Sequence, residues 1–70
     1  MIEVYKTNVQ NALQAEKILN ILNKTFSDAK INFDLEDHDK ILRVAGIKKA
    51  DIQDIILGLN NLGFKCQVLD

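Results

Sequence analysis

The sequence contains no proline and no tryptophan, only three glycines and one cysteine, and no long apolar run. Without proline-rich or glycine- and serine-rich stretches there is no linker, so residues 1–70 are expected to form one domain. No segment approaches ~18 consecutive apolar residues, which argues against a membrane-spanning helix. A lone cysteine cannot form an internal disulfide, whereas small domains of oxidising compartments usually contain several.

The first six residues have neither a basic flank nor an apolar run, so they do not resemble a signal peptide. Together with the lone cysteine, this predicts a cytoplasmic location. Nine basic residues oppose ten acidic ones, which gives a net charge of −1. Because phosphate neutralisation supplies most of the affinity of nucleic-acid binders, the missing positive excess argues against a nucleic-acid partner.

Apolar residues recur with two different periods along the chain. Alternation predicts strands at residues 2–6, 30–35, 40–45 and 64–69, and helical spacing predicts helices over 11–25 and from about Asp51 to Leu62. This β-α-β-β-α-β order is the split βαβ arrangement. It predicts an α+β, ferredoxin-like two-layer sandwich in which both helices cover one face of an antiparallel sheet of order 4-1-3-2.

The predicted helices also have signals at their ends. Asn8 or Asn11 is expected to cap the first helix, because a short amide accepts from free backbone N–H groups. Gly63 follows the second helix, where a left-handed C-terminal residue belongs. Gly58 lies inside that helix, at an expected cost of ~1 kcal/mol relative to alanine.

The other face of the sheet is expected to be open, with Ile2 and Val4 pointing into the core and Tyr5 pointing out. The open face would then carry Glu3, Tyr5, Lys30, Asn32, Ile41, Arg43, Lys65 and Gln67. An aromatic, an aliphatic and an arginine side chain are typical of protein interfaces, so Tyr5, Ile41 and Arg43 are the candidate contact residues. The alternative is an ordinary exposed sheet face with a few apolar residues.

Two segments carry most clearly a resemblance of the chain to the heavy-metal-associated domains of copper chaperones and metal-pumping ATPases. Residues 31–35 resemble the second strand of that family. Residues 51–68 resemble the end of its domain, where a helix is followed by a glycine, an aromatic residue and the last strand. The resemblance covers nearly the whole chain. It implies the ferredoxin-like fold and, in the family, a Met-x-Cys-x-x-Cys loop that holds a soft metal at the start of the first helix.

That metal motif is missing from this sequence. When Ile18 and Leu22 are aligned with the core positions of the family, Val9 takes the place of the methionine, and Asn11 and Gln14 take the places of the two cysteines. Amides are poor ligands for soft cations. The resemblance therefore implies a shared scaffold without the metal site of the family, and no cofactor is expected.

A metal site of another kind is the alternative hypothesis. His38 lies between Asp37 and Asp39, and histidine and carboxylates are ligands for borderline or hard divalent ions. The interpretation we favour is a solvated turn, in which aspartates support tight backbone geometry. Cys66 alternates with Phe64 and Val68 and is expected to be a core residue and not a reactive thiol.

The sequence contains no nucleophile–base pair, no phosphate-binding loop and no repeated carboxylate motif. We therefore expect no enzymatic activity. The preferred function is a small non-catalytic binding module, which contacts a protein partner or its own copy through the open sheet face or an edge strand. The alternative is metal-ion binding or trafficking through an altered site. A small-molecule sensor is a third, less supported option.

Overall fold

A computed structural model describes residues 2–69 of the chain. Its elements are β1 (Ile2–Thr7), α1 (Ala12–Thr25), β2 (Lys30–Asp34), β3 (Ile41–Ala45), α2 (Lys49–Asn61) and β4 (Cys66–Val68). The element order is the predicted one, and most ends differ from prediction by one or two residues. The final strand is shorter than expected, because Phe64 still belongs to the C-terminal cap of α2.

The four strands form one antiparallel sheet of order β2-β3-β1-β4, which reads β4-β1-β3-β2 from the other edge. With its two helices, this small α+β architecture is compatible with a ferredoxin-like fold. Within residues 2–69, neither helix has the length and apolar character needed to cross a membrane.

The core lies between the helices and one face of the sheet. Both helices contribute to it, and the buried cluster consists of Tyr5, Val9, Ala15, Ile18, Leu22, Leu42, Val44, Ile47, Ile55 and Leu59. Burying a large apolar side chain of this kind stabilises the fold by about 1.5–3 kcal/mol. The helix-free face of the sheet is called the open face from here on.

The predicted orientation of β1 is wrong. Tyr5 pairs with Leu42, whose side chain is in the core, so Tyr5 points towards the helices and is 0% exposed. Since neighbouring strand residues point to opposite faces, Val4 lies on the open face opposite Arg43. Ile2 lies on the same face, and Glu3, which pairs with Val44, lies on the helix side.

The start of α2 has an unusual cap, because the residue that precedes it is Lys48. Asp51 supplies the missing polar group from inside the first turn, and its Oδ2 accepts from the backbone N–H of Lys48 at 3.1 Å. A carboxylate in the first turn also interacts favourably with the helix dipole. The lysine therefore does not prevent the helix from starting there.

The end of α2 confirms the role predicted for Gly63. Its φ angle is +93°, in the left-handed region that glycine adopts without steric cost. The N–H of Gly63 donates to the carbonyl of Asn60 at 3.0 Å, and the N–H of Phe64 donates to that of Leu59 at 2.9 Å. These two bonds form a Schellman motif, which directs Phe64 back towards the core.

Candidate functional site

The start of α1 contains the two positions that the resemblance aligns with metal-binding cysteines. Asn11 is the N-cap of α1, and its Oδ1 accepts from the backbone N–H of Gln14 at 2.9 Å. The side chain of Gln14 reaches back, and its Oε1 accepts from the backbone N–H of Gln10 at 2.9 Å. Both amides therefore satisfy free backbone donors at the helix start.

The hairpin turn between β2 and β3 contains the weaker metal candidates. Asp37 Oδ1 accepts from the backbone N–H of Asp39 at 2.9 Å, which is the local bond of an Asx turn. Asp39 Oδ1 lies 3.6 Å from Lys6 Nζ. His38 is exposed between them. The two carboxylates thus already have partners within the fold.

This turn lies at the same end of the domain as the loop before α1. The N–H of Thr7, at the end of β1, donates to the carbonyl of Asp39 at 3.1 Å, and its hydroxyl donates to the carbonyl of Lys40 at 2.6 Å. Lys40 has a φ of +50°, which is uncommon for a non-glycine residue. Its Nζ donates to the carbonyl of Leu35 at 3.1 Å, across the turn.

The two regions do not combine into a ligand cluster. Across residues 2–69, no group of three or more histidine, cysteine, aspartate or glutamate side chains is placed to hold a metal ion. Asn11 and Gln14 use their oxygens in backbone capping, and Asp37 supports the turn. The arrangement can therefore stabilise this end of the domain, and it presents no assembled set of metal ligands in that range.

Tyr5 does not belong to the open face, contrary to the prediction. Its hydroxyl donates to the backbone carbonyl of Ile52 in α2 at 3.3 Å, so it links the sheet to the helix layer. Burial raises the pKa of Tyr5, and the neighbouring Cys66, Glu3 and Asp51 raise it further. The phenol is thus a neutral core group and cannot contribute to a surface on the other side of the sheet.

Ile41 and Arg43 do point to the open face, but only Arg43 is accessible. Ile41 is 5% exposed and lies between Lys6 of β1 and Asp34 of β2, which are its partners on the two neighbouring strands. Arg43 is exposed and lies between Val4 and Asn32. The predicted three-residue cluster therefore reduces to a single exposed arginine over a buried isoleucine.

The open face carries apolar residues that the sequence analysis placed elsewhere or omitted. Ile2 is 67% exposed, and Leu69 is 37% exposed and bonds through its N–H to the carbonyl of Val4 at 2.8 Å. The strand register places the following residues on this face: Ile2, Val4, Lys6, Lys30, Asn32, Asp34, Ile41, Arg43, Ala45 and Gln67. Alternation within β1 alone does not predict this patch, because it leaves open which of the two faces of the strand is buried.

The charge on the open face differs from that of the whole chain. Its cationic side chains are Lys6, Lys30 and Arg43, and its acidic side chain is Asp34. The chain as a whole has a net charge of −1. The strand residues of this face therefore combine an apolar patch with a local positive excess.

An apolar groove opens at the edge of the sheet beside β2. It has a volume of about 490 Å³ and lies between α1, which contributes Ala12, Ala15 and Leu19, and the strand, which contributes Phe33. Leu35, which follows the strand, also lines the groove, as do the polar residues Asn32, Asp34 and Glu36. Sequence periodicity did not reveal this groove, because it depends on how α1 sits over the edge strand.

Cys66 packs against the core from β4, opposite Thr7 of β1. Burial raises the pKa of its thiol to about 12. The thiol is therefore protonated at neutral pH, and this position fits the predicted core role and not that of a reactive thiolate.

No protein-family model matches this chain, and neither the curated proteins nor the solved structures include a significant match.

Proposed function

We propose that this domain is a non-catalytic protein-binding module that docks through its open sheet face. The observation that carries the proposal is the exposure of Ile2, two residues from Val4 along β1, and of Leu69, whose N–H donates to the Val4 carbonyl. Both lie near Arg43 on the sheet face that neither helix of residues 2–69 covers. Isolated apolar side chains on a surface are common, but Ile2 and Leu69 both neighbour Val4, which pairs with Arg43 across β1 and β3. Arginine within an apolar patch is typical of residues that dominate binding energy.

The partner surface has complementary chemistry in this proposal. It presents apolar side chains to Ile2 and Leu69 and a carboxylate to Arg43, because the open face has a positive excess. The protonated thiol of Cys66 and the turn position of His38 support a non-catalytic role. The scaffold, in this proposal, is ferredoxin-like with sheet order 4-1-3-2 and resembles a heavy-metal-associated domain without its thiolates.

A photo-crosslinking experiment tests the docking surface. A photoreactive phenylalanine analogue replaces Ile2 in one variant and Leu57, which is exposed on α2, in a second. We expect the analogue at position 2 to form specific covalent adducts with the partner and the analogue at position 57 to form none. Mass spectrometry of the adducts identifies the partner. The purified partner is then titrated with the unmodified domain by calorimetry.

Charge reversal gives the quantitative readout. Arg43→Glu is expected to raise the Kd on the order of thirtyfold, because a central arginine contributes about 2 kcal/mol or more. Lys49→Glu makes the same change of charge on an exposed residue at the start of α2 and is expected to leave the Kd unchanged. Equal effects of the two substitutions, or adducts formed only through α2, would overturn the proposal.

A further inference from the structure

We propose that two copies of this chain pair antiparallel through their β2 edges, about a twofold axis at Asn32, to form one continuous sheet. The inference goes beyond the proposed function, because it uses the strand edge and not the open face. It assigns a second copy of the chain as the occupant of that edge.

The β2 edge is free and regular. Within residues 2–69, β2 pairs in the sheet with β3 alone, and its five residues keep a continuous register with that strand. Edge strands of this length expose a row of backbone donors and acceptors that bind another strand unless like charges that face each other, a proline or a bulge prevents it. The other edge strand, β4, has only three residues and offers a shorter template.

The sequence of β2 is complementary to itself. In an antiparallel pair centred on Asn32, Lys30 lies opposite Asp34 of the second copy, and Asp34 lies opposite its Lys30. Both side chains are exposed on the open face, and neither forms an ion pair within residues 2–69. A twofold axis makes every such contact twice, so the pairing gains two opposite-charge pairs with no like-charge pair.

The apolar side of β2 fits the same register. Ile31 and Phe33 are half-buried on the helix face. The pairing places Ile31 opposite Phe33 of the second copy, and Phe33 opposite its Ile31. The groove of about 490 Å³ between α1 and β2 opens at this edge, so the second copy covers it. The pairing thus extends the core across the axis and adds charge pairs on the other side of the sheet.

The geometry has a consequence for the open face. A twofold axis perpendicular to the sheet keeps all the helices on one side and joins the two open faces on the other. The two Arg43 side chains then belong to one surface of doubled width. Such an assembly can hold two partner segments at once, which raises avidity without any new contact.

Charge exchange tests the register. Lys30→Asp places aspartate opposite Asp34 twice, so we expect the dimer Kd, measured by sedimentation equilibrium, to rise at least about tenfold. Asp34→Lys is expected to do the same with lysine pairs. The double variant Lys30→Asp/Asp34→Lys restores both opposite-charge pairs and is expected to dimerise like the unmodified chain.

The matched control is Lys65→Asp, which makes the same change of charge on an exposed residue beside the opposite edge strand. It is expected to leave the dimer Kd unchanged. An unmodified chain that stays monomeric at millimolar concentration would overturn the proposal. So would a double variant that remains as weak as its two single parents.

Cross-linking gives a second readout that does not depend on charge. In a Cys66→Ala background, Asn32→Cys is expected to form a disulfide dimer under air oxidation, because directly opposed residues have Cα atoms about 4.5–5.5 Å apart. Lys30→Cys is the control, because the two copies of that residue are roughly 13 Å apart along the strands. Equal cross-linking at both positions would contradict the register.

The two proposals fail separately. The charge-exchange and cross-linking variants of the pure chain report on the β2 edge, whereas the Arg43→Glu titration with the partner reports on the open face. A dimer that binds no partner contradicts the proposed function alone, and a monomer that binds one contradicts the edge pairing alone.

Discussion

Asn11 and Gln14 cap the start of α1 together. The backbone N–H of Gln14 donates to Asn11 Oδ1, while the Gln14 side chain accepts from the backbone N–H of Gln10, and both distances are 2.9 Å. The Asn11 carbonyl also accepts the first intrahelical bond, from the N–H of Ala15. Two positions that the family resemblance assigns to metal ligands therefore have a structural role that their amide chemistry explains.

Removing this cap is expected to destabilise the fold. Asn11→Ala leaves the Gln14 N–H without its acceptor, so we expect the free energy of unfolding to fall by about 1 kcal/mol. Asn11→Asp keeps the acceptor and adds a negative charge at the positive end of the helix dipole, so its stability is expected to equal or exceed that of the unmodified chain. Urea denaturation monitored by circular dichroism measures both, and the reverse order of stabilities would contradict the capping role.

Restoring thiolates at these positions tests the family resemblance. On the proposal that the scaffold is of the heavy-metal-associated type, Asn11→Cys/Gln14→Cys is expected to bind one Zn²⁺ or Cu⁺, because thiolates are suitable ligands for both ions and a helix start lowers thiol pKa values. Thiolate-to-metal charge-transfer absorption with Co²⁺ or Cd²⁺ as probe measures the binding.

The matched control is Asn11→Ser/Gln14→Ser, which changes the same positions without adding a thiol and is expected to bind neither ion. If the double cysteine variant shows no charge-transfer band above that control, positions 11 and 14 do not correspond to the ligand positions of the family. The alignment through Ile18 and Leu22 would then be wrong.

Much of the fold follows from local signals in the sequence. Asn11 and Gly63 mark helix ends because their side-chain chemistry or conformational freedom meets a requirement of the backbone there. The orientation of β1 does not follow, because both alternating sets of this strand contain large side chains. Pairing with Leu42 and Val44 of β3 places Tyr5 and Glu3 on the helix side of the sheet. The buried Thr7, two residues after Tyr5, lies on the same side.

The candidate site was harder to predict for the same reason. A strand shifted by one residue exchanges its two faces, so assigning Ile2 and Val4 to the core removed them from the open face. The face of Arg43 is predicted correctly because it alternates with Leu42 and Val44, whose apolar side chains mark the core face of β3. The low exposure of Ile41 on that face depends on its two neighbouring strands, which periodicity within one segment does not describe.

Gly58 is expected to be replaceable with a gain in stability. A Cβ at this position would lie 3.9 Å from Leu22 Cδ2, which is an ordinary van der Waals contact between α1 and α2. Gly58→Ala should therefore raise the free energy of unfolding by up to about 1 kcal/mol, because alanine loses less conformational entropy in a helix.

Gly63→Ala is the matched control in the same helix region. The φ of +93° imposes strain on any residue with a Cβ, so we expect a loss of about 1 kcal/mol or more. This loss does not come from a clash, because within residues 2–69 no atom beyond the two chain neighbours lies within 4 Å of the added group. Thermal or urea denaturation measures the stability of both variants. Gly58→Ala reports the contact between the helices, and Gly63→Ala reports the backbone strain. A loss of stability in Gly58→Ala would show that the two helices pack more tightly than this distance indicates.

Alkaline pH is expected to destabilise the domain through two buried acids. Burial raises the pKa of the Cys66 thiol from its ordinary value of 9.0 to about 12 and also raises that of the Tyr5 phenol. Above about pH 9 the unfolded chain releases these protons while the folded chain retains them. The folded state then binds more protons than the unfolded state, so the free energy of unfolding falls as the pH rises.

The urea midpoint at a series of pH values from about pH 8 to about pH 11 measures this fall. Cys66→Ala removes one of the two groups, so its midpoint should decrease less steeply with pH, whatever its stability at neutral pH. Tyr5→Phe should reduce the slope in the same way and also removes the hydroxyl that donates to the Ile52 carbonyl. If both variants keep the slope of the unmodified chain, these side chains are ionised at the same pH in the folded and unfolded states, which their burial does not allow.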